Sequence, residues 1–389
     1  MTPTVKISTR GASRLKSGHV WVYRSDVACA DSVPPGSLVS VTDEHNKFLG
    51  TALYSSTSQI AVRMLSTQLV DDLPVLVRDR VAAALAYRGL VVHDSDAFRV
   101  VFSEADFLPG LIVDRYNDIV SVQILTQAMD ADPVRHAIMS ALIELLEPAT
   151  IVERVDPRVR ELEQLPPRQL GLISGEKTDT VYAMNGVRFH YHSLQGQKTG
   201  AFLDQRENYA AAARYAHGAA LDVFCYQGGF ALHLAERCSQ VSGVDSSRPA
   251  LEWADQNARL NNREMEWIEG NAFDLLKDYA AAGRQYNTIV LDPPPFAKSK
   301  RNLETALRGY KELNLRALKM LPPGGVLVTC SCSYHVSQAD FLAIVAEASR
   351  DARKTLRILE SRSQAKDHPV LITVPETGYL KCIIANVSN

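Results

Sequence analysis

The chain has 389 residues, more than one ordinary hydrophobic core accommodates, so two or three domains are expected. With 46% hydrophobic and 22% charged residues, it has the composition of a globular protein and not of a disordered or fibrous one. The formal net charge of −2 does not by itself indicate a nucleic-acid partner, so any basic surface has to be local.

No apolar run approaches the length that crosses a bilayer, which argues against a membrane partner. The N-terminus MTPTVKISTRGASRLKSG carries cationic residues but lacks the apolar central region of a secretory signal. Six cysteines over this length form no disulfide framework. We therefore expect a protein of the reducing cytoplasm.

Residues 1–70 predict a small β-rich unit, because short β-type segments alternate there with Gly, Pro and Asn. The unit contains seven Lys and Arg residues against four Asp and Glu residues, whereas the whole chain is slightly negative. This asymmetry is compatible with a polyanionic partner and equally with an ordinary solvated surface. The predicted strands are HVWVYRSDV, GSLVSVTDE, FLGTALYS and QIAVRML.

Residues 71–185 predict a second unit of mixed α and β structure. The turn-rich stretch QLPPRQLG is a candidate boundary within it, although the strand-like TVYAMNGVRFHYH follows. The predicted helices are LPVLVRDRVAAALAYRGL and HAIMSALIELLE, and the predicted strands are FRVVFSEAD, GLIVDRYND, IVSVQILTQ and ATIVERVD.

From about residue 186 to residue 389, strand candidates alternate with helix candidates. Repeated βα alternation predicts an open parallel sheet with helices on both faces. The strand candidates are AALDVFCY, QVSGVD, MEWIEGN, NTIVLD and GGVLVTCS. The helix candidates are GGFALHLAERC, SRPALEWADQNARLNN, FDLLKDYAAAG and LETALRGYKELNLRALKML.

The stretch LDVFCYQGGF, residues 221–230, predicts a strand, a glycine-containing turn and the start of a helix. Such a turn lets a ligand approach the backbone closely, but it lacks both GxGxxG and GxxxxGK[ST]. Asp245 follows at the end of the next strand, about 20 residues on, where a carboxylate accepts hydrogen bonds from ribose hydroxyls. The alternative role is the N-cap of the helix that follows. A ribose-binding carboxylate without a phosphate cradle suits S-adenosylmethionine (SAM).

The stretch NTIVLDPPPFAKSKRN places Asp292 at the carboxyl end of a strand, where ligands bind in this architecture. Pro293 and Pro294 predict a rigid turn with few free N–H groups, and Phe296 can stack on a flat base. The alternative interpretation is a strand that ends at proline, with Phe296 buried.

A basic stretch begins beside this motif and includes Lys298, Lys300 and Arg301. Residues 298–319 contain seven Lys and Arg residues against two Glu residues. A cationic stretch beside a flat-base site favours a nucleic acid over a small metabolite. The competing interpretation is a solvated amphipathic helix.

The stretch TCSCSYHVS, residues 329–337, contains two of the six cysteines. Zinc requires about four ligands, which CxC with His335 does not supply, and the spacing differs from the redox CxxC. Cys330 lies deeper in the strand and suits an inert buried residue. Cys332 lies near the strand end, where a thiolate can attack carbon 6 of a pyrimidine and thereby activate carbon 5. In that chemistry Asp292 holds the ring edge.

Over nearly its full length the chain resembles the bacterial 23S ribosomal RNA cytosine-C5 methyltransferases of the RlmI type. The resemblance implies an N-terminal PUA RNA-binding domain over residues 1–70 and a small central α+β domain over residues 71–185. It also implies an α/β, Rossmann-like class I methyltransferase domain over residues 186–389, with Cys332 as the nucleophile. The matching stretches are GASRLKSGHVWVYRSDV, GTALYSSTSQIAVRM, SEADFLPGLIVDRY, KTGAFLDQR, GYKELN, SCS, DHPV and GYLK.

The resemblance further implies SAM as cofactor, large-subunit ribosomal RNA as partner and no metal, and it leaves monomer or homodimer open. The family's entry motif, here QGQKTGAFLDQRENY, would meet the methionine end of SAM. The first four class I motifs would hold the rest, and they resemble, in order, LDVFCYQGGF, GVDSS, IEGNAFD and VLDPPPF. Asn271 stands where acidic residues are common, but an amide can also bond adenine. Pro295 replaces the family's usual Lys. The implied cofactor residues are Lys198, Asp204, Gln205, Arg206, Asp222, Phe224, Tyr226, Gly228, Asp245, Ser246, Asn271, Ala272, Phe273 and Asp292.

Two other functions stay open. Motifs of the DPP[FY] type also occur in methyltransferases that act on exocyclic amino groups, so the chain could methylate guanine or adenine in RNA. It could also be an RNA-binding assembly factor that holds SAM without turnover.

Overall fold

The computed structural model describes residues 2–195, 200–297 and 299–388. The chain divides into two compact units. Unit 1 comprises Met1–Tyr182, Tyr191–Ala201 and Asp367–Thr377, and unit 2 comprises Ala183–His190, Phe202–Lys366 and Gly378–Asn389. In the described part of the chain, no helix is long and apolar enough to cross a membrane.

Unit 1 begins with a six-stranded sheet, which contains the four strands predicted for this region. Its strands are β1 (Thr4–Ile7), β2 (Trp21–Tyr23), β3 (Val27–Cys29), β4 (Leu38–Thr42), β5 (Phe48–Tyr54) and β6 (Ile60–Ser66). The order is β2-β6-β5-β4-β1-β3, and β1 and β4 are parallel. Alternate apolar side chains of β1, β4 and β6 form its core.

A helix that the sequence did not indicate, α1 (Thr9–Lys16), joins β1 to β2. It is short and mostly polar, and it buries only Gly11 and Ala12. The hydroxyl of Ser8 caps it by accepting the N–H of Gly11 at 3.2 Å.

The rest of unit 1 is built on a five-stranded sheet of order β11-β10-β9-β8-β7, whose core includes buried residues of α2 and α3. The stretch QLPPRQLG does not divide the chain, because it connects α4 to the edge strand β11 of this sheet. A separate two-stranded hairpin, β12 and β13, has residues in both units. The elements are α2 (Leu73–Val91), β7 (Ala97–Phe102), β8 (Leu111–Tyr116), β9 (Ile119–Ile124), α3 (Asp132–Leu146), β10 (Thr150–Glu153), α4 (Pro157–Leu162), β11 (Gly171–Ser174), β12 (Asp179–Met184) and β13 (Val187–His192).

Unit 2 alternates helices with the strands of a seven-stranded sheet, which confirms the predicted α/β, Rossmann-like class. Its strands are β14 (Gly218–Val223), β15 (Cys238–Asp245), β16 (Glu266–Glu269), β17 (Thr288–Leu291), β18 (Val326–Ser331), β19 (Thr355–Arg362) and β20 (Lys381–Ser388). Its helices are α5 (Arg206–Tyr215), α6 (Gly229–Leu234), α7 (Arg248–Leu260), α8 (Ala272–Ala281), α9 (Leu303–Met320) and α10 (Gln338–Asp351).

The strand order of this sheet is β16-β15-β14-β17-β18-β20-β19. The prediction of a parallel sheet is right for β14 to β18 and wrong at one edge, because β20 runs antiparallel to both β18 and β19. The carboxyl ends of the parallel strands meet at one edge of the sheet. The order reverses between β14 and β17, where ligands bind in open α/β sheets.

Candidate active site

The turn after β14 has an unusual backbone that β15 holds in place. Phe224, Tyr226 and Gly228 have φ of +68°, +49° and +85°, and the first two are in a region that residues other than glycine rarely adopt. The N–H groups of Phe224 and Cys225 donate to Val244 O at 2.8 and 3.0 Å. A Cβ on Gly228 would lie 3.0 Å from the Trp267 ring, so close packing also explains this glycine.

Asp222 is fully buried at the end of β14. Its Oδ2 accepts the N–H of Ala231 at 2.8 Å, whereas its Oδ1 has no hydrogen-bond partner among the described residues. Burial, together with the charges of Asp292 and Asp245, raises the pKa of Asp222 to about 8. A buried oxygen without a partner, beside two other carboxylates, fits the cationic methionine end of SAM.

Asp245 lies at the end of β15 and is not the N-cap of α7, because the hydroxyl of Ser247 holds that position. The carboxylate oxygens of Asp245 accept the N–H groups of Tyr226 at 3.0 Å and Ser247 at 2.9 Å. Each oxygen has a second lone pair, so the carboxylate can still accept from ribose hydroxyls. Ser246 is exposed beside it.

The start of α8 forms another predicted part of the cofactor site. Asn271 is the N-cap of this helix, because its Oδ1 accepts the N–H groups of Phe273 at 2.9 Å and Asp274 at 3.4 Å. The amide nitrogen of Asn271 donates hydrogen bonds. It therefore suits a ring nitrogen of adenine, which accepts, better than the amino group of adenine, which donates. Ala272 is buried, and Phe273 is half-buried with its ring 5.9 Å from that of Phe296.

The first residue of α5 and the two residues before it are three predicted site residues, and all of them are buried. Asp204 accepts the hydroxyl of Tyr379 at 2.6 Å. The amide nitrogen of Gln205 donates to Asp292 Oδ1 at 3.0 Å, which ties the entry motif to the fourth motif. Arg206 lies 3.7 Å from the carboxylate of Glu207. Lys198 lies outside the described residues.

The two cysteines of the CxC differ as the sequence predicts. Cys330 is fully buried in β18, directly opposite Cys382 of β20, and burial raises the pKa of its thiol well above the ordinary value. Cys332 follows the end of β18 and is half-buried. Its Sγ lies 3.7 Å from Pro293 O, so the CxC and the DPPPF loop are in contact.

A buried group of hydroxyls, which the sequence did not indicate, surrounds Cys332. The hydroxyl of Tyr310 on α9 bonds Ser331 Oγ at 3.0 Å and Ser333 Oγ at 2.9 Å. Ser333 Oγ also accepts the N–H of Ala297 at 3.2 Å. Burial raises the pKa of Tyr310, so its hydroxyl stays protonated and able to donate. This group fixes the nucleophile loop relative to α9 and the DPPPF loop.

Lys381, the first residue of β20, is another buried residue that no sequence motif assigned to the site. Its Nζ donates to Ser333 O at 2.7 Å and to Tyr379 O at 2.8 Å. The matching stretch GYLK contains both Tyr379 and Lys381, and this was the only sign of either residue in the sequence.

The DPPPF loop is partly accessible. Pro293 is buried, Pro294 and Pro295 are exposed, and Phe296 is half-buried. The Phe296 ring lies 4.8 Å from that of Tyr310, so the structure supports both interpretations of this residue in part: it packs in an aromatic cluster and keeps an exposed portion.

The basic stretch is only partly a free cationic surface. Arg301 is exposed beside the loop, the backbone of Lys300 begins a short 3-10 helix, and Lys298 lies outside the described residues. Further along, Lys311 forms ion pairs with two acidic residues of α10, and Arg316 pairs with Glu312. For Lys311 and Arg316, the amphipathic-helix interpretation is therefore right.

Residues 5–67 match the family model described as a PUA-like domain, and residues 134–383 match that of S-adenosylmethionine-dependent methyltransferases. Among the described residues, no group of three or more His, Cys, Asp or Glu is arranged to hold a metal ion.

Several relatives bear the name ribosomal RNA large subunit methyltransferase I. The protein of Pseudoalteromonas translucida is 36% identical over 100% of both chains. That of Tolumonas auensis is 37% identical over 99% of both, and that of Aeromonas hydrophila is 38% identical over 94% of both.

Two solved structures share the fold at 18% identity, and each match covers 99% of this chain and 100% of the other. One is the structure of SMU.776 complexed with SAH, with a TM-score of 0.85. The other, from Streptococcus mutans, has a TM-score of 0.83. With its PUA-like domain and its methyltransferase sheet, the chain belongs to the SAM-dependent methyltransferase family that includes the ribosomal RNA large subunit methyltransferases I, and its cofactor is SAM.

Proposed function

We propose that this protein transfers the methyl group of SAM to carbon 5 of a cytosine in 23S ribosomal RNA, through a covalent bond to Cys332. The names of the full-length relatives support ribosomal RNA of the large subunit as the substrate. The observation that carries carbon-5 chemistry is the half-buried Cys332 at the carboxyl end of β18, in contact with the loop of Asp292. The six free cysteines support a reducing cytoplasm as the place of action.

The residues would act in a defined order. The Cys332 thiolate forms a bond to carbon 6 of the cytosine, which places a pair of electrons on carbon 5. Asp292, oriented by Gln205, holds the edge of the ring by accepting a hydrogen bond from the base. When bound, SAM would supply an electrophilic methyl group on its sulfonium. Carbon 5 takes up this methyl group with its electron pair as the S–CH3 bond breaks, and S-adenosylhomocysteine is the leaving group. A base then removes the carbon-5 proton, and the electron pair that returns to the ring expels the Cys332 thiolate.

The cytosine must leave its base stack to reach this site. Pro294 and the exposed portion of Phe296 offer a flat apolar surface for the extruded base. Arg301 is exposed beside the loop and suits a neighbouring phosphate, as would Lys298 and Lys300.

The alternative in the same class is methylation of an exocyclic amino group. There Asp292 and the carbonyl of Pro293 would accept hydrogen bonds from the amino group, and no cysteine would be required. The Pro293 carbonyl already lies against Cys332 Sγ. That contact favours carbon-5 chemistry, because the thiol occupies the position from which an amino group would be read.

The test compares Cys332→Ala with Cys330→Ala in a methyl-transfer assay, using labelled SAM and large-subunit RNA from cells that lack the gene. We expect Cys332→Ala to lose turnover by at least about a thousandfold, since it removes the covalent route. Cys330→Ala should retain most activity, because that thiol only packs against β20.

The other outcomes separate the alternatives. Transfer by Cys332→Ala at the wild-type rate would indicate amino-group methylation. If wild-type protein incorporates no label, the protein only binds SAM and RNA. A loss in Cys330→Ala as severe as in Cys332→Ala would contradict the division of roles between the two thiols.

A further inference from the structure

Lys381 is held directly behind the nucleophile loop. It pairs with Ser331 in the antiparallel register of β18 and β20, one residue before Cys332. Only 7% of the residue is exposed. Its Nζ donates to the carbonyls of Ser333 and Tyr379 at 2.7 and 2.8 Å. These hydrogen bonds therefore hold the Lys381 ammonium against the backbone of Ser333, the residue that follows Cys332.

Burying a lysine ammonium among neutral acceptors is unfavourable, and one nearby charge offsets part of the cost. Both carbonyls are uncharged, and burial lowers the pKa of Lys381 from 10.5 to about 8. The charge of Cys332 acts in the opposite direction and raises the pKa of Lys381. Such an interaction is reciprocal, so a Lys381 ammonium favours the thiolate of Cys332 to the same extent.

Two of the other titratable groups around the loop do not supply this charge. Asp292, on the adjoining loop, is acidic and opposes a thiolate. Tyr310, from α9, has its pKa raised by burial and stays neutral. His335 lies three residues beyond Cys332 on the same loop. Lys381 is the buried cation that the β20 side contributes.

We propose that Lys381 is a positioning residue that stabilises the thiolate of Cys332 and holds its loop in place through the Ser333 carbonyl. The inference rests on the proposed function, in which that thiolate is the nucleophile. When the thiolate forms, the S–H bond breaks and its proton goes to solvent water, while Lys381 keeps its own proton. The residue acts on the reaction only through Cys332.

The experiment measures alkylation of Cys332 by iodoacetamide against pH in the full-length protein, with the label located by peptide fragmentation. Cys29 is exposed and serves as the reference thiol within the same molecule, in an Asp31→Asn background that removes the carboxylate 3.2 Å from its Sγ. We expect Cys332 of wild-type protein to reach its half-maximal rate at a lower pH than Cys29. In Lys381→Met this midpoint should rise by about one pH unit or more, because an opposite charge is lost.

Two further variants separate charge from structure. Lys381→Arg keeps the charge and should stay near the wild-type midpoint, and the exposed Lys277→Met should match wild type. In methyl transfer, Lys381→Met should lower kcat with little change in KM for SAM, and the loss should shrink as pH rises. A purely structural role would lower kcat equally at every pH.

An unchanged midpoint in folded Lys381→Met would overturn the proposal. If that variant does not fold, the wild-type curve decides: a Cys332 midpoint no lower than that of Cys29 overturns the proposal as well. Alkylation uses neither RNA nor methyl transfer. Its result is therefore independent of whether Cys332→Ala retains transfer, which is the outcome that would overturn the proposed function.

Discussion

Three carboxylates stand at the carboxyl edge of the sheet in unit 2, and each has a different environment. Asp222 is buried and accepts a hydrogen bond through only one of its oxygens. Asp245 accepts hydrogen bonds from two backbone N–H groups, and Asp292 accepts one from Gln205. Burial raises the pKa of Asp222, and repulsion from the like charges of Asp292 and Asp245 adds to this rise. A cationic ligand relieves this repulsion, so the residues around β14 are better matched to SAM than to an anionic dinucleotide.

The pKa of Asp222 leads to a prediction for Asp222→Asn in cofactor-free protein. Its pKa is about 8 in the folded protein and about 4 when unfolded, so between these values the folded state holds one more proton. The contribution of Asp222 to stability is therefore present below about pH 4 and is lost as pH rises towards 8. Thermal unfolding against pH should show Asp222→Asn gaining stability over wild type across this range.

The same variant should bind SAM more weakly in calorimetry, because the ammonium loses a carboxylate partner. Asp278→Asn, an exposed change on α8, is the matched control and should follow wild type in both measurements. Parallel stability curves for Asp222→Asn and wild type would show that Asp222 is ionised in the cofactor-free protein.

At the scale of elements, the site depends on α9 and β20, which both support the loop after β18 that contains Cys332. Tyr310 joins α9 to the two serines around Cys332, and Lys381 joins β20 to the same loop. The aromatic ring of Tyr310 also packs against Phe296 and Phe341. A side chain buried in this way contributes to stability through its ring and to loop geometry through its hydroxyl.

Tyr310→Phe separates these two contributions, since it keeps the ring and removes the hydroxyl. We expect the free energy of unfolding to fall by about 1–2 kcal/mol, because the substitution removes two buried hydrogen bonds. We also expect a lower single-turnover methyl-transfer rate with unchanged SAM affinity. Tyr279→Phe on α8 is the matched control. An unchanged transfer rate in Tyr310→Phe would show that the hydroxyl does not help to place Cys332.

At the scale of the whole molecule, local patterns predicted more than long-range pairings did. Asp245 ends its strand, and Asp292 and Cys332 each follow theirs within one residue, so the convergence of strand ends was visible in the sequence. Lys381 reaches the site only because β20 runs antiparallel beside β18, about 50 residues away in sequence. A register of that kind leaves no local pattern in the sequence.

The PUA-like residues 5–67 yield a prediction for RNA affinity, which we expect them to supply through phosphate contacts. Arg10 and Arg14 already pair with Asp26, whereas Lys16 and Lys47 are exposed. RNA binding should weaken as salt rises, and the double change Lys16→Glu and Lys47→Glu should make the log–log slope shallower by about two. The measurement is a titration by fluorescence anisotropy at several salt concentrations.

Lys277→Glu provides the control for that double change and should leave the salt slope as in wild type. The double variant should keep wild-type SAM affinity. Binding that does not depend on salt would contradict a role for phosphate contacts.

The most direct test of the account asks whether Cys332 becomes bonded to the target base. RNA containing 5-fluorocytosine is incubated with the protein and SAM, and the products are separated under denaturing conditions. After methyl transfer, fluorine on carbon 5 cannot be removed as a proton is, so the thioether to carbon 6 persists. We predict a stable protein–RNA adduct on Cys332 that Cys332→Ala does not form. Methylated RNA with no adduct in the wild-type protein would contradict the covalent mechanism.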